Sequence, residues 1–267
     1  MIKVKQRITI LFTMLLALLV VLPTDATVRR HRKRARTHRV VRKRRVVRRV
    51  VPPTIHENPL LCCEDTCSHI HGIDLSHYQG EVFWNTIGEH SKMAYVYLKA
   101  SEGSENVAPL YERNIDLAHR HGLKVGSYHF FRPAADLQTQ LENFKAQCLP
   151  GEQDLIPMLD VETDGRLSSE EFCDSLLKML SLMEEAYHQK PLVYTYRNFY
   201  NKHLQGKIDD YQLMVAMYAD EEPVLDDGRD YTLWQYSCRG RIMGVTGLVD
   251  KSRFMGSHEL RDIRFRH

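Results

Sequence analysis

The chain has 267 residues, enough for one sizeable domain with an appendage, and its 37 Lys and Arg nearly balance 34 Asp and Glu. The balance hides a split: residues 1–50 hold 16 basic residues and one acid, Asp25, which leaves 21 basic against 33 acidic in 51–267, or −12. An acidic domain therefore trails a very basic arm. The chain carries no P-loop and no Gly-rich phosphate fingerprint after a strand, so a nucleotide cofactor is not implied.

Residues 1–26 read as an export signal. Lys3, Lys5 and Arg7 precede an apolar run from Ile8 to Leu22, followed by small and polar residues to Ala26. The apolar run is short for a transmembrane helix, so cleavage is favoured over a retained anchor. The positive charge just beyond it works against easy export. Residues 29–49 contain 13 Lys or Arg interspersed with Val pairs, a low-complexity arm expected to be disordered. Such an arm suits an anionic surface or polymer. It contains no aromatic residue to stack on bases, which makes nucleic acid the less favoured ligand. A Pro-containing linker ends the arm at residue 59, and a Cys-rich junction follows at 60–69. The Cys62, Cys63, Cys67, His69 and His71 spacing matches no standard zinc pattern. With Cys148, Cys173 and Cys238 making six, disulfides or free thiols are expected, with no metal and no cofactor.

From residue 70 to 255 strand-like and helical runs alternate. Strands are expected over 69–75, 93–100, 124–131, 155–161, 191–196, 212–218 and 231–236, with a last segment at 248–254. Helices are expected over 109–121, with Gly122 as its stop, and over 134–148. A third helix follows the capping box of Ser168 with Glu171. Such alternation predicts a parallel sheet, and this many units in roughly 200 residues predict an α/β barrel. The late strands have little helix between them, so the barrel should be irregular. Residues 256–267 read as a C-terminal tail.

In a barrel of this kind the site lies at the carboxyl ends of the strands. Leu155-Ile-Pro-Met-Leu-Asp-Val-Glu162 ends an apolar run in two acids one residue apart, so Asp160 and Glu162 should project from one face. Two carboxylates that close do not ionise equally, and one of them can hold a proton for a leaving group. Other strand ends supply Asp74, Lys99 and Glu102, Tyr128 and His129, Tyr194 and Tyr196, Tyr218, Trp234 and Gln235, and Asp250. Acids among Tyr and Trp suit a sugar, whose apolar faces aromatic rings can cover. Each residue also has a plainer reading. Asp74 can cap a turn, Asp250 can pair with Lys251, Lys99 can pair with Glu102, and His129 can be a hydrogen-bonded core histidine.

The segments Gly72-Ile-Asp-Leu-Ser-His-Tyr-Gln-Gly80, Tyr97-Leu-Lys-Ala-Ser-Glu-Gly103, Gly126-Ser-Tyr-His-Phe-Phe-Arg-Pro133, Leu159-Asp-Val-Glu162, Leu192-Val-Tyr-Thr-Tyr196, Leu233-Trp-Gln-Tyr236 and Val249-Asp250 occur in order. Together they resemble the family 25 glycoside hydrolases, the Chalaropsis-type lysozymes. The resemblance implies an irregular, flattened TIM-like barrel that cleaves the β-1,4 bond between N-acetylmuramic acid and N-acetylglucosamine in peptidoglycan. It implies acidic site residues at Asp74, Asp160, Glu162 and Asp250. Glu162 would be the general acid, and Asp160 would support an oxazolinium-like intermediate formed by the substrate's acetamido group. The sugar would be bound by Tyr78, Tyr128, Tyr194, Tyr196, Tyr218, Trp234 and Gln235. Two positions depart from the family pattern: Tyr78 stands where Trp is usual, and Ser252 where Asn is common. An exported or cell-envelope location follows from the same reading. The rival readings are a hydrolase of chitin-type N-acetylglucosamine polymers and a non-catalytic wall-binding barrel.

Overall fold

A computed structural model describes residues 69–89 and 92–267. The export segment, the basic arm, the linker and Cys62, Cys63 and Cys67 lie outside the described residues. The strands are β1 (His71–Leu75), β2 (Met93–Glu102), β3 (Asn106–Val107), β4 (Lys124–Phe130), β5 (Met158–Asp160), β6 (Leu192–Tyr196), β7 (Leu213–Ala216), β8 (Leu233–Gly240) and β9 (Val249–Phe254). The helices are α1 (Trp84–Gly88), α2 (Tyr111–Arg120), α3 (Leu137–Lys145), α4 (Ser169–Tyr187) and α5 (Arg197–His203). Among the described residues no helix is long and apolar enough to cross a membrane.

Eight strands close into a barrel in the order β1-β2-β4-β5-β6-β7-β8-β9, with β9 pairing back onto β1 and the two-residue β3 lying on the edge of β2. The strands from β1 to β8 that form the barrel are parallel, as expected, but β9 runs antiparallel to both its neighbours. The reason is the short connection after β8. Residues 241–248 cannot make the crossover of about a dozen residues that a parallel partner needs, so the chain turns back as a hairpin. The late part of the barrel is also poor in helix, with only the seven residues of α5 between β6 and β7.

Local sequence sets the helix ends. The Ser168 hydroxyl accepts from Glu171 N, and the Glu171 carboxylate accepts from Ser168 N at 2.9 Å, which starts α4 at the expected place. α3 starts three residues later than expected because Asp136 caps it, accepting from Thr139 N at 2.8 Å. α2 ends at Arg120, and Gly122, with φ of +82°, makes the left-handed turn into β4. The last residues are not a free tail. Ile263 and Phe265 are buried, Ile156 N donates to Ile263 O, and Phe265 N donates to Asp154 O, which fixes this segment against the chain entering β5. Cys148, Cys173 and Cys238 are free thiols.

The inward faces of the strands fill the barrel. On β2, Tyr95, Tyr97 and Lys99 share one face, and Val96, Leu98 and Ala100 the other. Both tyrosines are fully buried, and each lies beside a glycine of a neighbouring strand: Gly72 of β1 pairs with Tyr95, and Gly126 of β4 with Tyr97. A methyl group at either glycine would overlap the tyrosine ring. The hydroxyls are satisfied too, Tyr97 donating to Ile156 O at 3.1 Å and Tyr95 meeting Ser252 Oγ at 3.0 Å. The two rings form a floor, and residues one step further along each strand stand above it. Gly126→Ala should therefore cost about 1–3 kcal/mol through overpacking, read as a lower urea midpoint at unchanged slope. An unchanged midpoint would mean that Tyr97 can move aside without loss.

Candidate active site

One step beyond the tyrosine floor, the inward positions converge on a cavity of about 210 Å³ lined by Asp74, Ser76, Tyr78, Gln79, Lys99, Tyr128, Phe130, Met158, Asp160, Glu162, Tyr194, Gln235 and Asp250. All four acids singled out from the sequence are in this wall. β5 ends at Asp160, one residue short of the expected strand. The chain nevertheless stays extended, because Val161 N donates to Tyr194 O at 2.9 Å and Thr195 Oγ1 donates to Val161 O at 2.7 Å. Asp160 and Glu162 thus keep the same-face relation of a strand although Glu162 lies in the loop after it.

Asp74 and Asp250 are register partners across β1 and β9. Asp74 is 5% exposed and caps no turn; the local cap is Ser76, whose hydroxyl accepts from Tyr78 N. Asp74 Oδ2 accepts from Gln235 Nε2 at 2.7 Å, and Gln235 Oε1 accepts from the hydroxyls of Tyr194 and Tyr218, each at 2.9 Å. Two hydroxyl donors on one oxygen fix which way the amide faces. Gln235 is buried, and its amide is engaged by protein at both ends. The other oxygen of Asp74 and one oxygen of Asp160 are buried with no hydrogen-bond partner among the described residues. A buried acceptor left open in this way is costly unless a ligand donor meets it.

Burial sets the proton affinities. Desolvation, then repulsion from Asp250, pushes Asp74 up to about 8 against the pull of the Gln235 hydrogen bond. Burial raises Asp250 to about 6. Burial, then the neighbouring Glu162, holds Asp160 well above the ordinary carboxylate range, opposed by Lys99. Glu162 is raised by burial and by Asp250, and opposed by Lys99, a Tyr196 hydrogen bond and Arg132. The site therefore retains protons into the neutral range, as a general acid requires.

Tyr78 stands at the rim, 80% exposed, on the short 3-10 turn His77–Gln79. Gln79 Nε2 donates to Leu248 O at 3.0 Å, which ties this turn to the β8–β9 hairpin. Tyr128 and Tyr194 form inner walls. Glu162 also lines an adjoining cavity of about 650 Å³, which holds Tyr196 and Tyr218 with Thr163, Asp164, Arg197, Phe199 and Met217. Glu162 therefore stands between the two cavities.

The structure does not bring Trp234 to either cavity. It is adjacent to Gln235 on β8, so strand alternation sends the two to opposite faces. Trp234 is buried, donates from Nε1 to Met217 O at 2.8 Å, and lies under the Arg253 guanidinium. His129 faces outward for the same reason, bonded to Ser101 and Gln140. Lys99 does pair with Glu102, at 2.6 Å, yet it also lines the cavity. The sequence reading placed Lys99 among the converging strand ends without giving it a role, and it left Ser76, Gln79, Phe130 and Met158 out of the site. For Lys99 the signal was present, since it shares the face of Tyr95 and Tyr97.

A closed α/β barrel with paired, desolvated carboxylates among tyrosines at the strand ends is the arrangement of a glycoside hydrolase. Residues 73–245 match the model of glycosyl hydrolases family 25, and the chain belongs to that family. It is 32% identical to a protein named YegX from Escherichia coli K12 over 194 residues, 71% of each chain. It is 28% identical to lysozyme M1 of Streptomyces globisporus, over 71% of this chain and 69% of that one. Among solved structures it resembles the bacterial lysozyme of Streptomyces coelicolor, at 27% identity, with a TM-score of 0.65 over 71% of this chain and 94% of the other. A family 25 glycosyl hydrolase from Bacillus anthracis has 28% identity and a TM-score of 0.64, over 70% and 89% of the two chains.

The raised acids have a consequence for stability. The folded protein holds the Asp74 proton at pH values where the unfolded chain has released it, so this group costs stability as pH rises from its ordinary value of 3.8 towards about 8. Asp74→Asn should then raise the melting temperature at pH 8, by a free energy on the order of 1–3 kcal/mol, and lose the gain near pH 4. Equal effects at both pH values would mean that Asp74 is not protonated in the fold.

Proposed function

We propose that this glycoside hydrolase is an exported lysozyme that cleaves the β-1,4 bond between N-acetylmuramic acid and N-acetylglucosamine in peptidoglycan. The observation that carries the reading is the placing of Asp160 and Glu162 in one small cavity, with a buried oxygen of Asp160 open to a donor. Tyrosine walls and the rim residue Tyr78 suit the faces of sugar rings. Family membership and the lysozyme relatives support the substrate.

On this reading the two acids have different jobs. The acetamido N–H of the bound sugar donates to the open oxygen of Asp160 and favours negative charge there. The shared proton then resides on Glu162, which is the less buried of the pair and faces both cavities. Glu162 protonates the glycosidic oxygen as the acetamido oxygen attacks the anomeric carbon, giving an oxazolinium-like intermediate. Water opens that intermediate, and Glu162 takes the proton back. This is the substrate-assisted variant, distinct from the scheme of acid plus carboxylate nucleophile. Asp74 and Asp250 shape the field around the pair. No metal or cofactor enters these steps.

Glu162→Gln should lower turnover on peptidoglycan by about 10²–10⁴-fold with little change in thermal stability. Mass analysis of the digest decides the bond: reducing N-acetylmuramic acid ends support the reading, and cleavage of chitin oligosaccharides alone replaces it with the chitin-type activity. Full turnover by the Gln variant would remove Glu162 from its role. Binding to peptidoglycan without any cleavage would favour the wall-binding barrel.

For residues 29–49 we propose electrostatic attachment to an anionic surface or polymer of the cell envelope, from 13 positive charges in that stretch. A chain lacking 29–49 should be retained less on anionic wall polymer at low salt, with the difference disappearing at high salt. Equal retention at low salt would leave the arm a linker.

A further inference from the structure

Among the described residues that line the small cavity, Lys99 is the only cation, facing four carboxylates. Its position is built by three elements. Its ammonium, with the side chain 11% exposed, lies 2.6 Å from Glu102 Oε2. The other oxygen of Glu102 accepts from Arg132 Nε at 3.1 Å and from a terminal guanidinium nitrogen of Arg132 at 2.5 Å. The Phe130 ring is approached by both cations, with Lys99 Nζ 5.0 Å and the Arg132 guanidinium carbon 4.5 Å from its centroid. A single Lys–Glu pair would leave no net charge at the cavity wall. Two cations sharing one carboxylate leave one positive charge, and the inward face of β2 places it beside the acids.

We propose that Lys99 is a positioning residue for hydrolysis, the internal counter-charge that keeps one negative charge on the Asp160–Glu162 pair. Glu102 and Arg132 hold it in place. The proposal rests on the catalytic reading of that pair. The charges around the pair make Lys99 hard to replace. Asp250 from β9 adds negative potential, as does Glu102 from β2 and, once ionised, Asp74 from β1, while Tyr128 and the β6 tyrosines Tyr194 and Tyr196 are neutral donors or walls. Opposing them are Lys99 at both acids and Arg132 at Glu162. Without Lys99, nothing in the wall offsets the desolvation of Asp160, and the pair would hold two protons to a higher pH. Neither acid could then carry the charge that the intermediate requires.

The test uses the full-length protein with Lys99→Met, Lys99→Arg and Glu102→Gln, checked for folding by thermal melts. The first readout needs no turnover: ¹³C NMR of the Asp and Glu side-chain carboxyls, titrated in the free protein. The lower midpoint of the coupled pair should rise by on the order of one pH unit in Lys99→Met and return towards wild type in Lys99→Arg. The second readout is the pH profile of kcat/KM on peptidoglycan. Its acid limb should move up by the same amount, which at a fixed pH on that limb is about a tenfold loss. Glu102→Gln keeps the Lys99 charge and removes a negative one, so it should move the midpoint down, not up, while lowering kcat through the lost anchor of Lys99. Unmoved midpoints in a folded Lys99→Met protein overturn the proposal, as does a change confined to KM, which would make Lys99 a substrate contact. A carboxyl shift in Lys99→Met together with a wild-type protein that cleaves no peptidoglycan would refute the lysozyme reading and leave the electrostatic assignment standing.

Discussion

The structure depends on what fills the barrel. Tyr95 and Tyr97 occupy the interior only because Gly72 and Gly126 offer no side chain on the strands beside them. Strand periodicity then decides everything above that floor: the next inward residue on β1 is Asp74, on β2 Lys99, on β4 Tyr128 and on β5 Asp160. The acids therefore stand on a dry, aromatic base that water cannot reach from below. Their retained protons follow from this packing more than from any one partner.

Burying carboxylates together is expensive, and the fold offsets only part of the cost. Asp74 has one hydrogen bond from Gln235, itself held by two tyrosine hydroxyls. Asp160 has an open oxygen. Elsewhere in the domain polar groups are closely matched, as with Tyr111, Ser127 and Gln153, which bond to one another beneath the core. At the cavity the unmet demand belongs to two carboxylate oxygens, of Asp74 and Asp160, where a ligand can satisfy it. The domain is thus least self-sufficient where it is to be occupied.

Much of this was legible in the sequence, for identifiable reasons. An apolar run that ends in Asp-x-Glu shows its face by alternation, and the extended backbone through Val161 preserves that face even where the strand formally stops. The capping box at Ser168 is local chemistry and reads directly. The misses have physical causes as well. Trp234 and Gln235 cannot both point inward, and a list of strand-end residues that ignores alternation will include one too many. The reversal of β9 depends on the length of one connection, not on composition. Lys99 shows its inward face by alternation and its pairing with Glu102 by proximity, but Arg132, the second cation on Glu102, lies thirty residues beyond that carboxylate, where no spacing rule connects the two.

The place where β1 meets β9 has a further meaning for how the molecule assembles. It joins the first barrel strand to the last, so the entropy of closing that loop is the largest of any strand pair. The same ladder brings Asp74 opposite Asp250. The chain thus places two acidic side chains on the joint that closes its longest loop. Half of the acid cluster does not exist until that joint closes, so a partly folded chain has no complete site. Any local opening that parts these two strands would disperse the cluster and rehydrate its acids at once.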